Sequence, residues 1–167
     1  MDQIFVFREI DYITIARVFL AFVLGGIVGF ERERVRRPAG LRTHMLVAAG
    51  SACFTVASIY GFQGFGVNSD PARLAAQIIT GIGFLGAGAI FRTGDTVRGI
   101  TTASSIWITA AIGILIGVGM IYLAVFTTIM TWFVLYVIKG LETKLERNQK
   151  RSGEPFMNQP SDDTAKR

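Results

Sequence analysis

Charge is scarce in this chain, and most of it lies at the margins of long apolar stretches. Only 17% of the 167 residues are Asp, Glu, Lys or Arg, while 51% are hydrophobic; a soluble domain carries about 25% charged residues. Between Ile13 and Ile138 the sequence is mostly apolar runs, each about the 20 residues that a helix needs to cross a bilayer. An ordinary water-soluble globule and a disordered chain are excluded. Cysteine is nearly absent. Cys53 stands alone, so no disulfide can form within the chain, and a single thiol makes no metal site; inside its apolar run it reads as a small buried hydrophobe. Histidine is equally rare: His44, the one His, sits at the entry to an apolar run and is expected at an interface. No Ser-His-Asp or Cys-His arrangement is visible, so no enzyme activity and no cofactor are expected. Acids are missing at depth, since no Asp or Glu lies far inside an apolar run. Magnesium prefers oxygen ligands, usually with one or two carboxylates, and a Mg²⁺ pore lined by acids is therefore not expected.

Five segments have the length and composition of membrane-spanning helices: residues Ile13 to Phe30, His44 to Phe62, Ala72 to Phe91, Ile100 to Gly117 and Met120 to Ile138. The runs are continuously apolar rather than alternating, which excludes a β-barrel. The expected fold is all-α, a polytopic transmembrane helical bundle of five spans. Its transmembrane domain covers residues 1–140, and 141–167 form a short polar tail, partly disordered from Ser152 onward. Arg32, Arg34, Arg36, Arg37 and Arg42 fill the first loop, Arg92 and Arg98 the third, and the tail holds seven Lys and Arg; the second and fourth loops have none. The positive-inside rule then places the N-terminus outside and the tail in the cytoplasm. The same placement explains a net charge of +5 without nucleic acid, as basic loops facing an anionic leaflet. The first residues lack a basic leader and a small-residue cleavage site, so no cleaved signal peptide is expected.

Glycine is abundant, at 19 residues. Gly25 and Gly29 form a GxxxG, as do Gly113 and Gly117, and the third span holds Gly81, Gly83, Gly86 and Gly88. Small residues let helix backbones approach where lipid gives no hydrophobic drive for association. These glycines are expected to pack the first, third and fourth helices, with the third at the centre. Gly81-Ile-Gly83-Phe-Leu-Gly86 also matches the letters of a dinucleotide fingerprint. That motif needs a preceding strand and an acid about 20 residues on, and here it lies within an apolar span with Ile at position 106.

Ionisable and polar groups at membrane depth mark functional candidates. Arg17 either snorkels outward or joins Asp70 and Arg73 in an outer cluster. Glu31 closes the first span on the inner side, with Arg42, Arg92 and Arg98 as candidate partners. Gln77, one turn beyond Arg73 on the same face, needs an interhelical hydrogen bond or a functional site. Thr101, Thr102, Ser104 and Ser105, after Arg98, either cap the fourth helix or help its positive end attract an anion. Glu31, Arg42, Arg73, Gln77, Arg98 and Thr102 are thus the candidates for polar pairing or for contact with a partner or ligand.

Four stretches carry a family resemblance: Gly25-x-x-x-Gly29-Phe-Glu31-Arg32-Glu33; Ala39-Gly40-Leu41-Arg42-Thr43-His44 with Val47-Ala48-x-Gly50-Ser51; Arg73-x-Ala75-Ala76-Gln77-Ile78-x-x-Gly81-Ile82-Gly83-Phe84-Leu85-Gly86-Ala87-Gly88; and Val97-Arg98-Gly99-Ile100-Thr101-Thr102-Ala103-x-x-x-Trp107. Over residues 15–140 the chain resembles the MgtC/SapB family of bacterial membrane proteins. The resemblance implies a multi-pass protein of the bacterial inner membrane that serves adaptation to low magnesium and, in some members, virulence. It implies action by restraint of the F-type ATP synthase through its membrane sector rather than by direct Mg²⁺ transport. Longer members carry a cytoplasmic C-terminal domain, whereas here a short polar tail follows the fifth span. Two functions are therefore weighed: a regulatory protein that binds another membrane protein, or a copy of itself, through glycine-rich faces and inner arginines; and a small transporter or channel, for a magnesium-linked ion or another small solute, with Gln77, Thr80 and the Arg98 to Ser105 segment along a polar path. The near absence of charge at depth favours the first.

Overall fold

The computed structural model describes residues 2–61, 70 and 72–138. Helix α1 spans Asp2–Arg34 and α2 spans Leu41–Val56, continuing as π-helical turns over Ala57–Gly61. Helix α3 covers Ala72–Gly88. Strands β1 (Phe91–Thr93) and β2 (Thr96–Arg98) then form a small antiparallel hairpin, with Phe91 opposite Arg98 and Thr93 opposite Thr96. Helices α4 (Ile100–Val118) and α5 (Ile121–Phe133) follow, and Val134–Ile138 is again π-helical. The chain divides into two units, Met1–Trp132 and Phe133–Arg167; of the second, only the short π-helical stretch is described. The expected polar tail over residues 141–167 lies outside the described residues.

Local chemistry sets the helix ends. At the end of α1, Arg37 N–H donates to Arg32 C=O (3.0 Å) and Arg36 N–H to Glu33 C=O (2.9 Å). This is a Schellman cap, with Arg36 in the left-handed region at φ 54, and Pro38 follows. Helix α4 ends the same way: Met120 N–H donates to Leu115 C=O (2.8 Å) and Gly119 N–H to Ile116 C=O (3.0 Å), with Gly119 at φ 97. The start of α2 is capped from α1, because the Glu33 carboxylate accepts the Leu41 N–H at 3.0 Å. Asp70 caps α3, its carboxylate accepting the Ala72 N–H at 2.9 Å. Gly94, at φ 59, takes the first central position of the two-residue hairpin turn, where a primed turn favours glycine. Gly99, at φ 94, packs against Ala89 and Ile90 so closely that a Cβ would collide with the Ala89 carbonyl.

The core is a seam of small residues. On α1, Ala21, Leu24, Gly25, Val28, Gly29, Glu31 and Arg32 are buried, the i, i+3, i+4, i+7 spacing of one helical face. They meet a face of α2 built from His44, Ala48, Ser51, Ala52 and Thr55, and α4 closes the other side of α2 with Ile106, Ala110, Ile112, Gly113, Ile116 and Gly117. A Cβ on Gly25 would lie 2.6 Å from the His44 carbonyl oxygen, and one on Gly29 2.8 Å from Leu41 Cα. A Cβ on Gly113 would strike the Ala48 carbonyl, and one on Gly117 would lie 2.6 Å from Thr55 Cβ. The central helix is therefore α2, not α3. Helix α3 packs mainly on α4, where Gly86 faces Ala103, while among the described residues a Cβ on Gly81, Gly83 or Gly88 would meet nothing within 4 Å. Buried hydroxyls are satisfied by their own helices, Thr55 donating to Ser51 C=O, Thr109 to Ser105 C=O and Thr128 to Ala124 C=O, the usual refuge for a hydroxyl without water.

The exterior is apolar. Phe19, Phe30, Leu46, Phe54, Phe84 (82% exposed), Phe126 and Tyr122 (94%) all point outward, far more than a soluble monomer exposes. Asp11–Arg34, Leu41–Gly61 and Ile100–Val118 are long and apolar enough to cross a membrane, and Ala75–Gly88 and Ile121–Val137 are shorter apolar helices. Cys53 also lies on the exposed side of α2. It is not the buried hydrophobe expected, because the inward face of α2 is taken by Ala48, Ser51, Ala52 and Thr55.

Candidate functional site

Polar residues converge where α1 ends and α2 and α4 begin. Gly29 lets the first turn of α2 lie against α1, which brings His44 into the core at 0% exposure. His44 Nδ1 is 2.8 Å from the Gly40 carbonyl one turn back. A carbonyl only accepts, so Nδ1 carries a proton. His44 Nε2 lies 3.1 Å from Ser105 Oγ on α4, and Ser105 Oγ is 2.8 Å from the Thr102 carbonyl. The junction has two proton arrangements. A neutral His44 accepts the Ser105 hydroxyl proton; an imidazolium donates to Ser105, which then donates to Thr102. With Ser105 at 2% exposure and a carbonyl where a catalytic triad has a carboxylate, the pair works as a clamp between α2 and α4.

Beside it, Glu31 (4% exposed) and Arg32 (2%) are buried, with Arg32 Nη1 3.4 Å from Glu31 Oε2. Both lie within electrostatic reach of His44. Glu31 is thus met by its sequence neighbour rather than by Arg42, Arg92 or Arg98. Arg92 instead pairs with Asp95 at 3.3 Å on the exposed hairpin. At the opposite end of the bundle, Arg17 neither snorkels free nor joins Asp70: its Nη1 donates to the Gly117 carbonyl at 3.0 Å, placing a cation at the C-terminus of α4.

Of the sequence candidates, Glu31 and Thr102 fall in the buried polar centre, while Arg42, Arg73, Gln77 and Arg98 are exposed. Arg32 and His44 were missed as site residues, and Ser105 was read as a helix cap, an anion contact or part of a polar path rather than as the partner of His44. Arg32 reads as one more loop arginine, and the His44–Ser105 pair is separated by 61 residues with no local signal. Among the described residues, no group of three or more His, Cys, Asp or Glu could hold a metal ion. Gln77 instead borders a groove of about 510 Å³ between α2 and α3, lined by Leu46, Gly50, Phe54, Gly81 and Leu85 among others.

Apolar outer faces around a seam of glycine, alanine and buried polar groups define an α-helical membrane protein. The chain belongs to the MgtC family, whose profile matches residues 18–144. It is 47% identical over 135 residues to "Protein MgtC" of Brucella abortus (strain 2308), covering 80% of this chain and 54% of that protein. It is 45% identical over 135 residues to "Putative magnesium transporter YhiD" of Escherichia coli (strain K12), covering 78% of this chain and 63% of that one. The matched region is thus less than two thirds of either relative. No solved structure matches the chain significantly.

Proposed function

We propose that this chain is a non-enzymatic regulatory membrane protein that docks onto another membrane protein during adaptation to low magnesium. The membrane sector of the F-type ATP synthase is the partner that the family resemblance implies. The observation that carries this reading is the outward side of α3. Among the described residues a Cβ on Gly81 would meet nothing within 4 Å, and the exposed amide of Gln77, one turn away, opens on the same groove. In lipid an amide without a partner is costly, and bare glycines on a helix suit close approach of another helix. The helices would cross the bacterial inner membrane five times, with the N-terminus outside and the tail in the cytoplasm; a reporter fused after Ile138 would be active in the cytoplasm.

A transporter is the second reading, favoured by the name of the Escherichia coli relative. Its path would use Gln77, Thr80 and the segment from Arg98 to Ser105. One paired experiment separates them. A photocrosslinker at position 81, in membranes, captures ATP synthase subunits if docking is the function, and the capture is lost when Gln77 is changed to Leu. Selective ion flux through liposomes holding the purified protein, abolished by Gln77→Ala or Arg98→Ala, would refute a purely regulatory role.

A further inference from the structure

Arg32 is a buried cation whose pairing the described residues leave half made. It lies two residues before the end of α1, and its side chain is 2% exposed. Nη1 reaches Glu31 at 3.4 Å, long for a charge-assisted bond, which is ordinarily about 2.7–2.9 Å. Nε and Nη2 are also buried, and neither has a hydrogen-bond partner among the described residues. These two nitrogens share one edge of the planar guanidinium. Their N–H bonds run parallel there, the two-pronged donor that matches two oxygens of one oxyanion. Burying such donors without acceptors is unfavourable, so the geometry calls for an acceptor that the described residues do not supply.

The surroundings select its charge. The Glu31 carboxylate is engaged with Nη1, and that of Glu33 is engaged at the N-terminus of α2. Arg37 is close enough to repel the Arg32 guanidinium, and Arg34, Arg36 and Arg42 are exposed on the same turn or just beyond it. Cations therefore outnumber free carboxylates here, which draws in an anion. Phe30 points outward from α1 two residues before Arg32, and Arg34 is exposed two residues after it. The edge thus lies where the apolar exterior gives way to charge, the level at which phospholipid phosphates sit.

We propose that the Nε/Nη2 edge of Arg32 is the inner anchor of a phosphate site, filled by the headgroup of an anionic phospholipid or by free phosphate, with the arginines between 34 and 42 gathering the anion. Entry requires the α1–α2 turn to open, and that turn holds Arg36 in left-handed backbone, a conformation unfavourable for a side chain with a Cβ.

The test uses the full chain in a neutral detergent. Native mass spectrometry follows titration with phosphatidylglycerol and with phosphatidylcholine, and a thermal shift follows inorganic phosphate. Arg32→Lys keeps the charge and loses the two-pronged edge; Arg73→Gln removes an exposed charge on α3, away from the site. The wild type should retain phosphatidylglycerol over phosphatidylcholine, Arg32→Lys should bind about ten-fold more weakly, and Arg73→Gln should change binding less than about two-fold. Stabilisation of the wild type by inorganic phosphate, lost in Arg32→Lys, would identify the free anion as the source. Equal binding by the wild type and Arg32→Lys in both assays, or equal losses in the two variants, would overturn the site. Should Arg32→Lys fail to fold, ³¹P–¹⁵N recoupling on wild-type protein labelled at arginine decides: a phosphorus contact to the Nε resonance assigned to Arg32 supports the site, and none refutes it.

Discussion

A single methyl group placed on α1 or on α3 should change stability in opposite directions. At Gly25, the Cβ of an alanine would lie 2.6 Å from the His44 carbonyl oxygen and 2.7 Å from Ala48 Cβ. Helices α1 and α2 must separate by roughly 0.8 Å to restore ordinary contact, and gaps of that size forfeit a quarter to a half of the dispersion energy along the seam. Overpacking of this kind costs about 1–3 kcal/mol. Alanine also returns about 1 kcal/mol of helix propensity relative to glycine, so Gly25→Ala should lose up to about 2 kcal/mol overall. At Gly83 nothing lies within 4 Å, and only the propensity gain applies. Gly83→Ala should be neutral or stabilised by up to about 1 kcal/mol. Thermal unfolding of the monomer in detergent reads the difference, at about 2–4 °C for each kcal/mol. If Gly83→Ala melts as low as Gly25→Ala, then α3 rather than α2 is the hub, and the packing order derived above is wrong.

Two further outcomes follow from the polar contacts. Ser105→Ala removes the partner of His44 Nε2 in a dry core and should cost about 1–3 kcal/mol; a double-mutant cycle with His44→Phe should show coupling of at least about 0.5 kcal/mol, and additive losses would mean that the clamp is not made. Arg17→Gln removes the cation from the last turn of α4 and should lower stability by about 0.3–2 kcal/mol, measured as a fall in melting temperature, whereas Arg73→Gln, on the exposed first turn of α3, should leave it unchanged.

Much of the helix plan was legible because lipid-crossing length and apolar continuity are local properties. The third and fourth helices start at Ala72 and Ile100 as the sequence suggests, and the breaks at Gly99 and Gly119 fall where left-handed backbone demands glycine. The order of packing was not legible. Glycine in a helix signals a close approach but does not name its partner, so the four glycines of α3 outweighed the pairs on α1 and α4 that grip α2. The hairpin between α3 and α4 was hidden by its size, three residues a strand. His44 misled for a related reason: its neighbours in sequence are Arg42 and Thr43, which suggest an interface, while its partner Ser105 comes from another helix. Arg32 was masked by the arginines that follow it, since what separates it from them is burial alone.

The outward position of Cys53 on α2 has a practical consequence. Because it is the only thiol in the chain and it is exposed, a maleimide fluorophore or nitroxide attaches to the unmutated protein at one known point. Quenching by lipids brominated or spin-labelled at graded positions along their acyl chains would then gauge how far below the headgroups the middle of this helix rides, with every native residue still in place.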